Sequence, residues 1–165
     1  MDAYSIANWG LAFTATASAA AALAGLLFVA LSINLKQIVA SRLLVNRAVE
    51  VLVLLAAALL LSTLLLMPGM PIGAVAIEII GVAVGTAVVT GVIQIRTDRK
   101  EAGLSAVQFG SRVLGDQIGP LFLAVGGVSL IVQNGGGLYW VVPAILAMII
   151  AAIVGAWVLL VEILR

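Results

Sequence analysis

Any chemistry this chain performs falls to carboxylates, hydroxyls and amides. It contains no His and no Cys, which removes imidazole acid–base catalysis, thiolate nucleophiles, disulfides and the common ligand sets of zinc and haem. The informative residues are therefore acids embedded in apolar sequence, where an ionisable group is costly and usually paired or functional. Glu78 lies six residues inside an apolar run beginning at Ile72, roughly 9 Å along a helix rising 1.5 Å per residue. It shares a helical face with Gly81 and Gly85, which directs it toward a helix contact or a cavity rather than toward lipid. Two chemistries stay open: a site for an ion, proton or substrate, or an acid tied to a neighbouring hydroxyl or carbonyl.

A second constellation comprises Arg112, Asp116, Gln117 and Pro120. Arg112 and Asp116 stand four apart and can pair along one helical face. Pro120 has no N–H to offer the carbonyl of residue 116, so this point carries both a carboxylate and a freed carbonyl. Gly115 and Gly119 leave room for another helix or water. Broken helices of this kind coordinate cations in several transporters, which sets a cation site against a plain ion pair beside a proline kink. Thr86, Thr90 and Gln94 form a polar strip at spacing four, turned away from the Glu78, Gly81 and Gly85 face. Such a strip either lines water or hydrogen-bonds across a packed helix pair. The other acids have local partners: Glu50 follows Arg47 by three residues, and Glu162 precedes Arg165 by three.

These residues do not assemble into an enzyme. Glu78 belongs to one end of the chain's spans, Asp116 and Glu162 to the other, so no carboxylate dyad forms on one face. Lys36 and Lys100 fall in connections, leaving Ser62 and Ser129 without a base. Gly135-Gly136-Gly137 reads as a tight turn rather than a phosphate loop. The sequence thus predicts no catalytic residues, no metal and no cofactor.

The elements that position these side chains follow from composition. Of 165 residues, 64% are hydrophobic and 9% charged, with mean hydropathy +1.31, against about 45–50% and about 25% in a soluble domain. The net charge of +1 gives no reason to expect nucleic acid. At about 20 residues per bilayer crossing, the runs Ile6–Leu35, Ala48–Met67, Ile72–Ile95, Val113–Gln133 and Tyr139–Leu164 predict five transmembrane helices in a single all-α domain over residues 1–165, the fourth run being the weakest. The first run follows Asp2 and lacks a basic flank; it far exceeds the roughly 7–15 residues of a signal peptide's apolar core, so it is expected to be retained. Met67-Pro68-Gly69-Met70-Pro71 and Gln133-Asn134-Gly135-Gly136-Gly137 break the helices between runs.

Charge gives the orientation. Lys36, Arg42 and Arg47 fill the first connection, Arg96, Arg99, Lys100 and Arg112 the third, and Arg165 the end, while the Pro/Gly turns carry no charge. The positive-inside rule then places the N-terminus outside and the C-terminus in the cytoplasm. Tyr4, Trp9, Tyr139 and Trp140 fall at the outer ends, as an aromatic belt requires. The segment from Arg96 to Arg112 suits a solvated loop or a docking site for a soluble partner or anionic lipid. Short loops and Ala/Val/Leu/Gly-rich spans are the compositional style of small bacterial inner-membrane proteins, so a plasma-membrane location is expected.

Small residues at spacing four mark candidate packing faces: Ala17, Ala21 and Gly25; Gly81 and Gly85; Gly115 and Gly119; Ala147, Ala151 and Gly155. Five spans do not divide into two inverted halves, which counts against a self-contained transporter. Two functions are left open. One is a packing or regulatory subunit of a homo- or hetero-oligomeric membrane complex, with lipid and either a second copy or another membrane protein as partners. The other is a small oligomeric channel or transport component whose path is lined by spans three and four through Glu78, Thr86, Thr90, Gln94, Asp116 and Gln117.

Overall fold

A chain this apolar satisfies its backbone polar groups most simply within helices. The computed structural model describes residues 3–97 and 105–163, with Gln108 and Ile163 in backbone only, and throughout these residues regular structure is helical. A short 3-10 turn, Ile6–Trp9, leads into α1 (Gly10–Ile33), followed by α2 (Leu35–Ala40), α3 (Arg42–Leu64), α4 (Ile72–Arg96), α5 (Ala106–Val132) and α6 (Leu138–Ile163). Five helices among the described residues are long and apolar enough to cross a membrane. Large apolar side chains such as Leu11, Ile95 and Trp157 point outward, exposed by 90%, 86% and 69%. That surface suits a multi-pass membrane protein and not water.

The five apolar runs coincide with the five helices, but the helices overrun them. The helix α3 begins at Arg42 and α5 at Ala106, before the apolar positions Ala48 and Val113, because polar residues continue a helix as readily as apolar ones. The first connection is itself partly helical: Asn34 ends α1 by donating both its backbone N–H and its side-chain Nδ2 to the Ala30 carbonyl, at 3.3 and 2.9 Å, and α2 follows at once. The fourth span is neither short nor broken. The helix α5 runs for 27 residues through Pro120, as α6 runs through Pro143.

Packing forms a ring. The helix α3 lies against α4 and α6, and α5 lies between α4 and α6, so α3 and α5 occupy opposite corners; α1 packs on the outside of α3 and brushes α6. Leu54, Leu61, Ile79, Leu123, Ile145 and Met148 fill the centre. Glycines permit the closest approaches. A Cβ on Gly119 would stand 2.5 Å from Met148 Cγ and 3.1 Å from the Ala144 carbonyl of α6. The pair Gly126-Gly127 faces two ways, Gly126 toward Val141 and Trp140 of α6, Gly127 toward Ile80 and Ala76 of α4. Gly155 of α6 sits against Val51 of α3.

Within the chain, several of the small-residue faces turn outward. In α1 the buried side is Phe13, Thr16, Ala17, Ala20 and Leu27, with Thr16 Oγ1 bonded to Ser62 Oγ at 2.9 Å; Ala21 and Gly25 are exposed. In α4 the assignment is reversed. Gly81 and Gly85 are exposed, and a Cβ added at either would meet no atom within 4 Å, whereas Thr86, Thr90 and Gln94 lie on the buried face. Gly115 is likewise open. Ala147 and Ala151 are half-buried. The spacing rule finds positions where helices could meet, but side-chain hydrogen bonding decided the choice in α4.

At the uncharged end the chain's beginning is strapped onto the α5–α6 turn. The Leu138 N–H donates to the Ala3 carbonyl at 2.9 Å and the Gly136 N–H to Tyr4 Oη at 3.1 Å. Trp9 and Tyr139 meet edge to face at 4.9 Å. Gly137 has φ +47°, and a Cβ there would come within 2.5 Å of the Ala3 carbonyl, so both its conformation and its surroundings require glycine.

The two kinds of glycine predict opposite responses to the same substitution. Gly127→Ala should destabilise the bundle by about 1–3 kcal/mol through overpacking against Ile80 and the Ala76 carbonyl. Gly85→Ala should be neutral or stabilising by up to about 1 kcal/mol, since it only gains helix propensity. Unfolding of the monomer in mixed micelles measures both.

Candidate functional site

The polar residues of three helices, α3, α4 and α5, converge at the cation-bearing end. On α4, Thr86, Thr90 and Gln94 recur every four residues and so share one face, which is turned to α5. Gln117 of α5 donates its Nε2 to Thr90 Oγ1 at 2.9 Å and lies 3.4 Å from the Ala87 carbonyl and 3.5 Å from Gln94 Oε1. The Thr90 hydroxyl donates in turn to the Thr86 carbonyl at 2.8 Å. Gln94 donates its Nε2 to Asp116 Oδ2 at 2.9 Å. The strip predicted on span three and the pair predicted on span four are thus two sides of one buried seam.

The ion pairs differ from local expectation. Arg112 does not pair with Asp116, nor Glu50 with Arg47. Instead Arg112 crosses the bundle from α5 to α3, donating from Nε at 3.0 Å and from Nη2 to the same oxygen, Glu50 Oε2. Both side chains are nearly inaccessible, 6% and 2% exposed. The second carboxylate oxygen, Glu50 Oε1, is buried with no hydrogen-bond partner, as is Arg47 Nε. Asn46 of α3 donates to Thr97 Oγ1 at 3.2 Å, and Thr97 donates to the Ile93 carbonyl, which closes the seam at the end of α4. Arg99, Lys100 and Arg165 lie outside the described residues, and with Arg165 the expected partner of Glu162.

A physical reason underlies this exchange of partners. Residues four apart on one helix can touch, but a buried carboxylate is better served by a forked guanidinium arriving from across the bundle, where water cannot compete. Glu50 occupies the same stripe of α3 as Leu54, Ala58 and Leu61, all buried. An acid at helical spacing from three core positions was the available signal that it faces inward.

Glu78 is not brought into this network. It is half-buried, sixteen residues before Gln94 and so roughly 24 Å away along α4. Its Oε2 is enclosed and has no hydrogen-bond partner. The six pathway candidates therefore divide into five that form a contiguous seam and one that stands apart.

Comparison with protein-family models, curated proteins and solved structures finds no match. The site's chemistry must be read from its geometry. Among the described residues no three acids approach closely enough to hold a metal ion. No hydroxyl in the seam adjoins a free base: Thr90 is bonded on both sides, and the nearest amides serve as donors. The seam's side-chain hydrogen bonds join α4 to α5, which makes it a specific contact with one charged pair at its margin.

Breaking that pair on one side only should be expensive. Arg112→Met strands the Glu50 carboxylate and is expected to cost about 3–5 kcal/mol, while Arg112→Met with Glu50→Leu removes both charges and should recover most of the loss. A double-mutant cycle by denaturant unfolding in micelles tests this; equal costs for the single and double variants would contradict it.

Proposed function

We propose that this chain is a non-enzymatic packing or regulatory subunit of an oligomeric membrane complex, resident in a plasma membrane of the bacterial inner-membrane kind. Its N-terminus is outside and its C-terminus in the cytoplasm. The reading rests on one observation: of the polar residues able to line a path, Thr90, Gln94, Asp116 and Gln117 are consumed in bonds to one another between α4 and α5, whereas Gly81 and Gly85 present an open face with nothing against them. In lipid, where burial of apolar surface from water does not drive helices together, small residues that let backbones approach are what association uses. The open face of α4 is accordingly the surface through which a second copy or another membrane protein would pack.

The orientation is supported by cations and contacts together. Arg112 in the second turn of α5, Glu50 in the third turn of α3 and Gln94 at the end of α4 meet at one end, and the uncharged Gly-rich turn meets the N-terminal strap at the other. The absence of native cysteine permits a direct check. A single cysteine at Gly69 should react with an impermeant maleimide applied from outside, and one at Arg42 only after the membrane is opened.

Association is tested by energy transfer between labelled copies in vesicles. Gly81→Leu with Gly85→Leu should reduce transfer at least about tenfold, equivalent to about 1.4 kcal/mol, while leaving helicity unchanged. Only monomer in the wild type, with no membrane partner on crosslinking, would defeat the subunit reading. Ion flux through wild-type proteoliposomes that falls in Glu78→Gln or Asp116→Asn would replace it with the channel.

A further inference from the structure

On the side of the bundle formed by α3, α5 and α6, two adjoining hollows of about 320 and about 390 Å³ share Arg47, Ser111, Arg112 and Val154. The larger reaches Glu162, and the smaller runs between α5 and α6 past Gly115, Ala147 and Ala151. Together they make one groove with a graded lining. Along α6 the order is apolar from Ala147 through Val154, then Arg47 projecting from α3 at the level of Val154, then Glu162, roughly 12 Å beyond Val154.

Arg47 is the unexplained member. Its Nε is buried without a hydrogen-bond partner, and among the described residues its guanidinium has no acid within 4 Å, the only such contact being Arg112 with Glu50. Glu50, Asp116 and Glu162 all act on it electrostatically. Yet Glu50 is committed to Arg112, and Asp116 accepts from Gln94. A guanidinium set in an apolar groove without an acid partner is costly, and an oxyanion supplied from outside would relieve that cost. The groove's charges limit what can bring it. Among the described residues two arginines, Arg47 and Arg112, stand with three acids, Glu50, Asp116 and Glu162, so the acids outnumber the arginines by one. A ligand with net negative charge would deepen that imbalance; one carrying a phosphate and its own cation would not.

We infer that this groove binds an aminophospholipid of the phosphatidylethanolamine type, with an acyl chain along α5 and α6, its phosphate on Arg47 and its primary ammonium on Glu162. The order of the lining matches the order of the lipid from tail to headgroup. The requirement for a primary ammonium follows from Glu162, since a carboxylate gains charge-assisted hydrogen bonds from N–H groups that a quaternary ammonium lacks. The inference needs the chain to lie in a bilayer, as proposed above, and is independent of association through α4, which involves a different helix.

The test uses the full chain, purified in mild detergent, stripped of lipid and offered equimolar dioleoyl phosphatidylethanolamine, phosphatidylglycerol and phosphatidylcholine, with bound lipid counted per chain by native mass spectrometry. One phosphatidylethanolamine per chain should be retained about tenfold over either competitor, the preference that about 1.4 kcal/mol provides. Arg47→Gln should reduce retention of all three lipids, and Arg47→Lys should restore part of it. Glu162→Gln should lower phosphatidylethanolamine to the phosphatidylcholine level without affecting the latter. Gly115→Leu, where a Cβ meets nothing within 4 Å, should block the tail while both headgroup residues remain. Equal retention of the three lipids, preference for phosphatidylglycerol, or indifference to Arg47→Gln, Glu162→Gln or Gly115→Leu would overturn the assignment. Recovery of the chain from the soluble fraction would overturn it together with the membrane reading.

Discussion

The Arg112–Glu50 pair spans a diagonal of the bundle, from α5 to α3, that backbone packing leaves almost unbridged. Its value lies less in stability than in what it forbids. A buried ion pair contributes little net energy once desolvation is counted, but either charge left alone costs several kcal/mol. Any arrangement with α5 rotated, or slipped by a residue, leaves two charges unpaired in an apolar interior. The pair therefore fixes the rotation of α5. With α5 so turned, Asp116 and Gln117 can only face α4, where Gln94 and Thr90 meet them. One long-range contact thus sets the partners of the whole seam.

The opposite end is held by different means. Its described turns carry no charge, and it relies on backbone donors, an aromatic pair and glycines that take conformations other residues resist. Ser129 near the end of α5 accepts the Gly137 N–H at 2.8 Å, while Ala3 and Tyr4 accept from Leu138 and Gly136. Gly126 and Gly127 let α5 sink between α4 and α6 just before this turn. The bundle is consequently specific at both ends: electrostatic specificity at one, steric specificity at the other.

The sequence made the spans readable because their signals are collective. Some twenty apolar residues in a row, or two prolines flanking a glycine as in Pro68-Gly69-Met70-Pro71, carry their meaning without reference to the rest of the fold. The site was half legible for the same reason. Thr86, Thr90 and Gln94 announced a polar face, and Asp116 with Gln117 announced another, but no local rule says that two polar faces on neighbouring helices will join. Pair assignments failed where sequence proximity competed with tertiary reach: Arg47 with Glu50 and Arg112 with Asp116 are both plausible helical pairs, and both lose to partners on other helices. The glycine faces divide for a related reason. Spacing alone cannot tell a glycine that another helix presses on, such as Gly119, from one that faces outward, such as Gly85.

Satisfaction of the seam also bears on the roles proposed for its polar residues. A conduit needs side chains whose hydrogen bonds are exchangeable with water or with a passing ion, so that each step replaces one partner with another at little cost. Here Gln117 is committed to Thr90, Gln94 to Asp116, and Arg112 to Glu50, and water admitted between α4 and α5 would have to displace contacts that also set the helix register. The atoms left unsatisfied are elsewhere: Glu50 Oε1 behind the ion pair, Arg47 Nε at the groove, and Glu78 Oε2 at the far end. Of these, Arg47 lines a hollow large enough to admit a partner. The polar side chains between α4 and α5 are spent on holding those two helices in register.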